Sequence, residues 1–588
     1  MIRRIVILLF AFLCAVNLQS SIINYQLSII NFQSPVDYDI SLAGNFGEPR
    51  PHHFHGGLDI RTEGREGKYV YAIGDGYVSR ITVGLYGFGN AVYITHPTGV
   101  TSVYCHLKSF SPRIKAALRR YQYRHETSVA DARLTPLDVP VSQGQFVALS
   151  GNSGHSTAPH LHLEIHDTRT WYMLDPYVFL NDHIADSVPP QAHGIMAVPQ
   201  QGRGVFNGST RKQTFSPSFL CHGSTAVTAW GQVGFALWAD DYMQGSYNHY
   251  GVHETVLTVD GREVFRAVVD SIPVRLNRMV NAWGDYDHWL HHRNWYLKSY
   301  AGPGNRLPFL RYGHNRGIVD FNEPRDYHLE YILRDYKGNE SRYPFVVRGE
   351  PASTTAQGNI DGQGIMTGGV QNSSASLSKR GIGGGLLGSG LFLPGVQLAV
   401  PVSLLISQVE LSPQIVRRRA DAVSDVYTFT QQSCPLLGDG EISLYARGDK
   451  VYADSIVASR PDTTKYYVTC DGLYAGGTYR KGWVTGRIRD LGAAVALGYD
   501  DLPPMVRPLS LSGGRLVLAV TDAHSGLASY KAYIDNRFVV FDVVEKTANV
   551  ECRLNETPVR RTGQRHHLRF VATDNRNNTT AFETDFVY

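Results

Sequence analysis

"GNSGHSTAPHLHLEI", residues 151–165, ends in a run where polar and apolar residues alternate. In a strand, residues i and i+2 point to the same face, so His160 and His162 project side by side. If one ligates a metal, the other lies near enough to reach a water bound to that metal. About a hundred residues earlier, "HFHGGLDIRTEG" (residues 53–64) places His55 and Asp59 in a glycine-rich loop, and both are residue types that zinc accepts. His55, Asp59 and His162 supply three ligands and leave a fourth position open, which is the count of a catalytic rather than a structural zinc site. With 23 histidines in 588 residues, an H-x-H arises by chance roughly once in such a chain. The weight therefore falls on the surrounding sequence.

That sequence reads as strands. From about 36 to 182, short runs such as "KYVYAI", "GYVSRITV", "NAVYITH" and "VTSVYCHL" alternate with Gly, Pro, Asn and Asp turns, predicting an antiparallel β domain. Residues 109–139 have helical spacing and predict a helical insertion on a loop. Residues 190–350 predict a β-sandwich with hairpin turns at "VDGR" and "DYKGNES". Residues 351–395 turn rich in Gly, Ser, Thr, Gln and Asn, the composition of a linker. Two more β segments follow, 396–500 and 501–588, which resemble bacterial immunoglobulin-like modules and suggest adhesion or positioning rather than chemistry. The fold class expected is mainly β.

Three stretches, "NFGEPRPHHFHGGLDIRT", "GYVSRITVGLYGFGNAVYITHPTGVTSVYCHL" and "VSQGQFVALSGNSGHSTAPHLHLEI", resemble the successive motifs of the lysostaphin-type (LytM) zinc metallopeptidases, which cut peptide bonds in bacterial peptidoglycan. The match spans residues 44–166 in the family's order, about a quarter of the chain. The resemblance implies a lysostaphin-like peptidase domain of the duplicated-hybrid-motif type and one Zn2+ per chain. It implies zinc ligands at His55, Asp59 and His162, with His106 and His160 as a catalytic pair. Two departures stand out. Cys105 occupies a position where the family often has alanine or glycine, and the insertion lengthens the loop after His106. Cys105 neighbours His106 on a strand, so its side chain is expected to point the opposite way as a buried thiol. The insertion is expected to alter a groove wall rather than the metal.

The remaining composition sets limits. The balance of 56 basic against 52 acidic side chains gives no electrostatic reason to expect a nucleic-acid partner. Arg3 and Arg4 precede an apolar run from Ile5 to Val16, the layout of a secretory signal in residues 1–20; an uncleaved anchor is the alternative. The expected location is the periplasm or cell envelope, outer-membrane associated or secreted. Peptidoglycan is the expected partner, with envelope proteins meeting the C-terminal β domains. Cys434 and Cys470 could pair in an oxidising compartment. Of the other histidines, His52, His53, His96, His155 and His166 are expected on loop or rim, and His288 and His292 are expected to pack rather than ligate. Acidic turns at 238–241 ("WADD") and 573–578 ("TDNRNN") could take calcium, but are expected to be solvated. An exported endopeptidase cutting D-Ala to diaminopimelate cross-links is the leading reading. A silent relative that activates a cell-wall amidase, an adhesion protein and a D-alanyl-D-alanine carboxypeptidase are the competitors.

Overall fold

A computed structural model describes residues 32–84, 87–222, 227–302, 304–351, 376–377, 389–406, 409–418, 422–446 and 462–588. The expected secretory signal lies outside them. The chain is mainly β, with antiparallel sheets. In the N-terminal region, Leu42–Gly44 (β1), Leu58–Arg61 (β2), Gly76–Val83 (β3), Ala91–Thr95 (β4), Val100–Cys105 (β5), Ala130–Arg133 (β6) and His160–Asp167 (β7) form one sheet in the order β1-β2-β7-β5-β4-β3-β6. A second sheet of three short strands, Tyr69–Tyr71, Phe146–Leu149 and Ser109–Phe110, closes the same core. Leu58, Ile60, Tyr104, Leu161, Leu163 and Ile165 fill it with no exposed surface. Each such Leu or Ile stabilises the fold by about 1.5–3 kcal/mol. The alternate residues Asp59, Cys105, His162 and Glu164 are thereby committed to the opposite face.

The insertion differs from expectation. A helix, α1, covers Pro112–His125 alone, and Glu126 ends it in a left-handed conformation (φ 45°). Beyond it the chain returns to the sheet, because β6 pairs with β3 at the open sheet edge and Arg80 grips Asp131 through two hydrogen bonds of 2.6 and 2.8 Å. Local propensity in "ADAR" is poor for a strand, and the tertiary pairing overrides it.

Residues 190–350 hydrogen-bond into one ten-stranded sheet, and strand Ser271–Pro273 crosses over to pair with Tyr172–Leu174 on the first sheet. This region also clasps β1: Tyr250 Oη donates to Leu42 O at 2.9 Å, and Asn248 Nδ2 to Ala43 O at 2.5 Å. Met243 and Tyr250 belong to the N-terminal core itself. Within the expected linker, Ser389–Leu393 is a strand paired with Val396–Val400, so ordered structure starts earlier than composition suggests. Two pairs of sheets follow, five strands on five and four on four, each pair over its own apolar core. Cys434 and Cys470 are both free. Cys434 precedes strand Pro435–Tyr445 of one sheet and Cys470 ends strand Tyr466–Cys470 of the other, and the Cys470 thiol donates to Arg487 O at 3.4 Å. No helix among the described residues is long and apolar enough to cross a membrane.

The C-terminal module docks on the insertion. Arg119 of α1 makes a two-pronged contact with Asp542 (2.9 and 2.5 Å), and Lys115 reaches Glu556 at 2.7 Å. Lys546 donates to Gly154 O at 2.9 Å and Ser156 O at 2.6 Å, in the loop that leads into β7. Arg119→Ala should weaken this docking by about 1.5–3 kcal/mol, the range for hydrogen bonds to charged groups. Faster amide exchange at 112–128 and 541–556 is the expected readout, and unchanged exchange there would show that the ion pairs do not hold the modules together.

Candidate metal centre

The site begins with register. In the β2–β7 pair Asp59 stands opposite His162, and Arg61 opposite His160. Directly opposed residues share a face of the sheet, so the carboxylate and the His162 imidazole meet without any loop having to place them: Asp59 Oδ1 lies 2.8 Å from His162 Nδ1. His55, in the turn before β2, brings its Nε2 within 3.0 Å of both Asp59 Oδ1 and His162 Nδ1. The glycines that follow His55 serve close approach rather than unusual backbone angles. A Cβ on Gly57 would stand 2.1 Å from Leu163 O, and one on Gly56 would meet the Glu164 carboxylate at 2.5 Å.

Hydrogen bonds behind the site fix which ring atom faces it. A backbone carbonyl only accepts, so His55 Nδ1 donates to Asn45 O (2.6 Å) and its Nε2 presents a lone pair. His162 Nε2 donates to Glu164 Oε1 (3.0 Å), leaving Nδ1 bare. Arg50 holds Asp59 Oδ2 at 2.7 Å and turns Oδ1 inward. Three lone-pair atoms therefore converge at 2.8–3.0 Å, which is repulsive unless a proton or a cation sits among them. His55, Asp59 and His162 could hold a metal ion.

Charge follows from the same contacts. Burial works against a charge on His162, but hydrogen bonds to Asp59 and Glu164 overcome it and push the imidazole up to about 9. Burial also works against ionised Glu164, yet donation from His162 and His166 draws it down to about 2. Asp59 is buried too, and the surrounding histidines hold it well below the usual carboxylate range. For His55, burial lowers the basicity.

His106 and His160 flank this group. Their ring centroids are 4.9 Å apart, and His160 Nε2 is 3.3 Å from Asp59 Oδ1. His106 Nδ1 donates to Ser153 O (2.8 Å) and His160 Nδ1 to Ala158 O (2.8 Å), so both Nε2 atoms remain open. Burial, then the neighbouring His162 and His160, brings His106 down to about 3 and favours its neutral form. His106 is not part of β5. The strand stops at Cys105, and His106 takes a left-handed φ of 58°, a strained conformation for a non-glycine residue. The expected alternation between Cys105 and His106 therefore fails: Cys105 pairs with His162 and shares its face. It is nonetheless fully buried, against Ala91, Tyr93 and Val103.

Glu164 and Asn45 escaped the sequence reading. Continuing the period of two from His162 leads to Glu164; Asn45 acts through its carbonyl and leaves no signal in side-chain pattern. His166 and His96 were expected at the rim, but each is 3% exposed. His166 donates to Glu164 Oε2 at 2.7 Å and stacks on Trp171; His96 bridges Asp75 O and Ser102 Oγ in the core. His53 is exposed, with Nδ1 turned to Pro51 O. His288 and His292 stack on each other at 4.3 Å without a third ligand type among the described residues.

Residues 53–122 match the family described as Peptidase family M23. The chain carries an M23 metallopeptidase domain. Residues 391–500 match a second description, Zu5-like domain, where an unspecified β domain was expected. An uncharacterized metalloprotease of Haemophilus influenzae is 32% identical over 120 residues, 20% of this chain and 19% of that protein. The chain thus matches about a fifth of the length of this curated relative. Among solved structures, the catalytic domain of the antimicrobial peptidase lysostaphin from Staphylococcus simulans is 23% identical, covering 24% of this chain and 92% of that one, with a TM-score of 0.19. A zinc containing peptidase from Vibrio cholerae is 27% identical over 25% of this chain and 39% of that one, also at 0.19.

Protons and a metal ion compete for the bare nitrogen atoms of the M23 domain. Because His162 is pushed up to about 9, metal affinity should rise with pH until about 9, and metal uptake at pH 7 should release protons. Calorimetry in buffers of different ionisation enthalpy measures this. Glu164→Gln should weaken metal binding by about 10–100-fold, the usual effect of losing the partner behind a ligating histidine; unchanged affinity would leave Glu164 without that role.

Proposed function

We propose that this protein is an exported zinc endopeptidase that hydrolyses peptide cross-links in bacterial peptidoglycan, at the bond between D-Ala and diaminopimelate. The observation that carries the reading is the convergence of three lone-pair atoms, with two further imidazoles alongside, inside an M23 domain. Two imidazole nitrogens and one carboxylate oxygen are a donor set zinc favours. Ligands about 2.0–2.2 Å from one tetrahedral centre lie roughly 3.3 Å apart, close to the 2.8–3.0 Å between these atoms. Zinc held there would supply Lewis acidity and bring a bound water toward a pKa of about 7.

The protein's own groups do the remainder. With Nδ1 anchored on a carbonyl, His106 and His160 each offer Nε2 to the reacting centre. One of His106 and His160 takes a proton at Nε2, and the other, once it carries a proton, donates to the oxyanion developing on the scissile carbonyl. Asp59, fixed by Arg50, keeps its charge and presents Oδ1 to the metal position. Phe88, partly exposed and stacked near His162 at 5.9 Å, offers an apolar wall to a substrate peptide.

Silent relatives that activate amidases usually lack one or more ligands, whereas this chain keeps the whole set, which favours an enzyme. The signal pattern in residues 1–20 supports placement in the periplasm or envelope. The docking of the C-terminal module on α1 supports a role in presenting substrate, with envelope partners engaged by its free surface; that module is read as immunoglobulin-like.

Mature protein should bind about one zinc per chain and release uncross-linked muropeptides from sacculi. Asp59→Ala should lose both zinc and activity, whereas His106→Ala and His160→Ala should keep zinc and lose about 100- to 10,000-fold in rate. Zinc binding without new muropeptides, followed by mass spectrometry, would favour the amidase activator.

A further inference from the structure

Asp186, Asp241 and Asp335 come from three separate places: the segment after the M23 domain, the end of strand Val227–Asp240, and the turn after strand Asp326–Arg334. Their carboxylate oxygens nonetheless lie within 4.8 Å of one another. The acidic turn at 238–241, expected to be solvated, is buried at Asp241, which is 5% exposed; Asp335 is 3% exposed. None of the three takes part in an ion pair among the described residues. Lys337, the cation that faces Asp186, spends its ammonium on Asn181 O at 2.6 Å.

Their hydrogen bonds leave a gap. Asp335 is satisfied by the backbone and side-chain amide of Asn339 (2.9 and 2.6 Å), and Asp186 by Val188 N at 3.0 Å. Asp241 Oδ1 is buried with no hydrogen-bond partner. It lines a small cavity with Asn45, Asp175, Tyr177, Asp186, His253 and Tyr336; Asp335 belongs to the carboxylate group but not to that lining. A buried carboxylate oxygen without a donor is destabilising, so the cavity favours a positive occupant. The other acidic group differs. In Asp500, Asp522 and Asp574 the oxygens accept backbone N–H groups from Leu502, Ser525, His524, Gly526, Arg576 and Asn578, which is a self-contained turn structure.

We infer that Asp186, Asp241 and Asp335 bind a hard divalent cation, calcium, which ties the end of the M23 domain to the ten-stranded sheet. All three donors are carboxylate oxygens with no imidazole or thiolate, which selects against zinc and other borderline metals. Calcium–oxygen distances of about 2.3–2.6 Å put ligands on opposite sides of the ion about 5 Å apart, so oxygens within 4.8 Å of one another are compatible with one shared ion. The electrostatics agree: burial first, then Asp186 and Asp335, push Asp241 up to about 8. Such a group takes up either a proton or a cation. The site is remote in chemistry from the His55 centre, and the inference does not depend on peptidase activity.

The test uses the full chain with Tb3+ and Ca2+ as probes. Tyr177 and Tyr336 line the cavity and should sensitise Tb3+ emission, which millimolar Ca2+ should displace; Ca2+ should also raise Tm by several °C, as expected for a ligand that binds the folded state alone. Asp59→Ala should keep both responses. Asp241→Asn should abolish both, and Asp186→Asn, at a half-exposed position that folding tolerates, should weaken Tb3+ binding at least tenfold. Absence of any Ca2+ response in the wild-type chain overturns the inference and leaves a shared proton as occupant. A response that survives in both variants, or one elicited equally by Mg2+ alone, overturns it as well.

Discussion

Asp59 facing His162 across an antiparallel strand pair is the constraint on which the centre rests. A one-residue slip of β7 against β2 would carry His162 into the core and bring Leu161 or Leu163 to the carboxylate. The leucines and isoleucines that alternate with the ligands forbid that slip, because Leu58, Ile60, Leu161, Leu163 and Ile165 are all fully buried. The same residues that make the core therefore aim the site, and the chemistry needs no separate device for its precision.

Around that pair the protein spends its polar groups on holding lone pairs in place. Asn45 O, Glu164, Ser153 O and Ala158 O each take the outer proton of one imidazole. Glu164 carries the largest share, since it accepts from both His162 and His166 and so extends a chain of charge from the site to the Trp171 ring. Cys105 lies beside this chain on the same face. Burial, then the negative charges of Glu164 and Asp59, raises its thiol well above the ordinary range. Packed among Ala91, Tyr93 and Val103, it acts as a buried filler directly opposite His162.

The strand alternation in "HLHLEI" and the glycine-rich "HFHGGLDI" made the His55, Asp59 and His162 group and the β class legible, because a period of two survives in sequence unchanged. His106 was legible through resemblance alone; nothing in "YCHL" announces that the strand stops at Cys105 and the next residue turns left-handed. The β6 strand was illegible for a related reason, since "ADAR" pairs by virtue of the open edge it meets. Buried Asp241 looked like a turn residue because burial there comes from segments roughly 50 and 90 residues away. Asn45 illustrates the limit: a carbonyl donates nothing to pattern, yet it sets the tautomer of His55.

Asn45 also shows why the M23 domain does not stand apart from the rest of the chain. Its side-chain amide is clamped on both sides by Gly251, donating to Gly251 O at 2.8 Å and accepting from Gly251 N at 2.8 Å. Its carbonyl then fixes His55. On the other edge, Lys546 of the C-terminal module grips the loop at Gly154 and Ser156 that leads to His160, and Phe54 N, one residue before His55, donates to Asn277 Oδ1 at 2.7 Å. The two imidazoles on opposite sides of the centre are thus braced by different downstream modules. Modularity in sequence therefore does not imply independence in structure: downstream β segments contact both the turn that carries His55 and the loop that leads to His160.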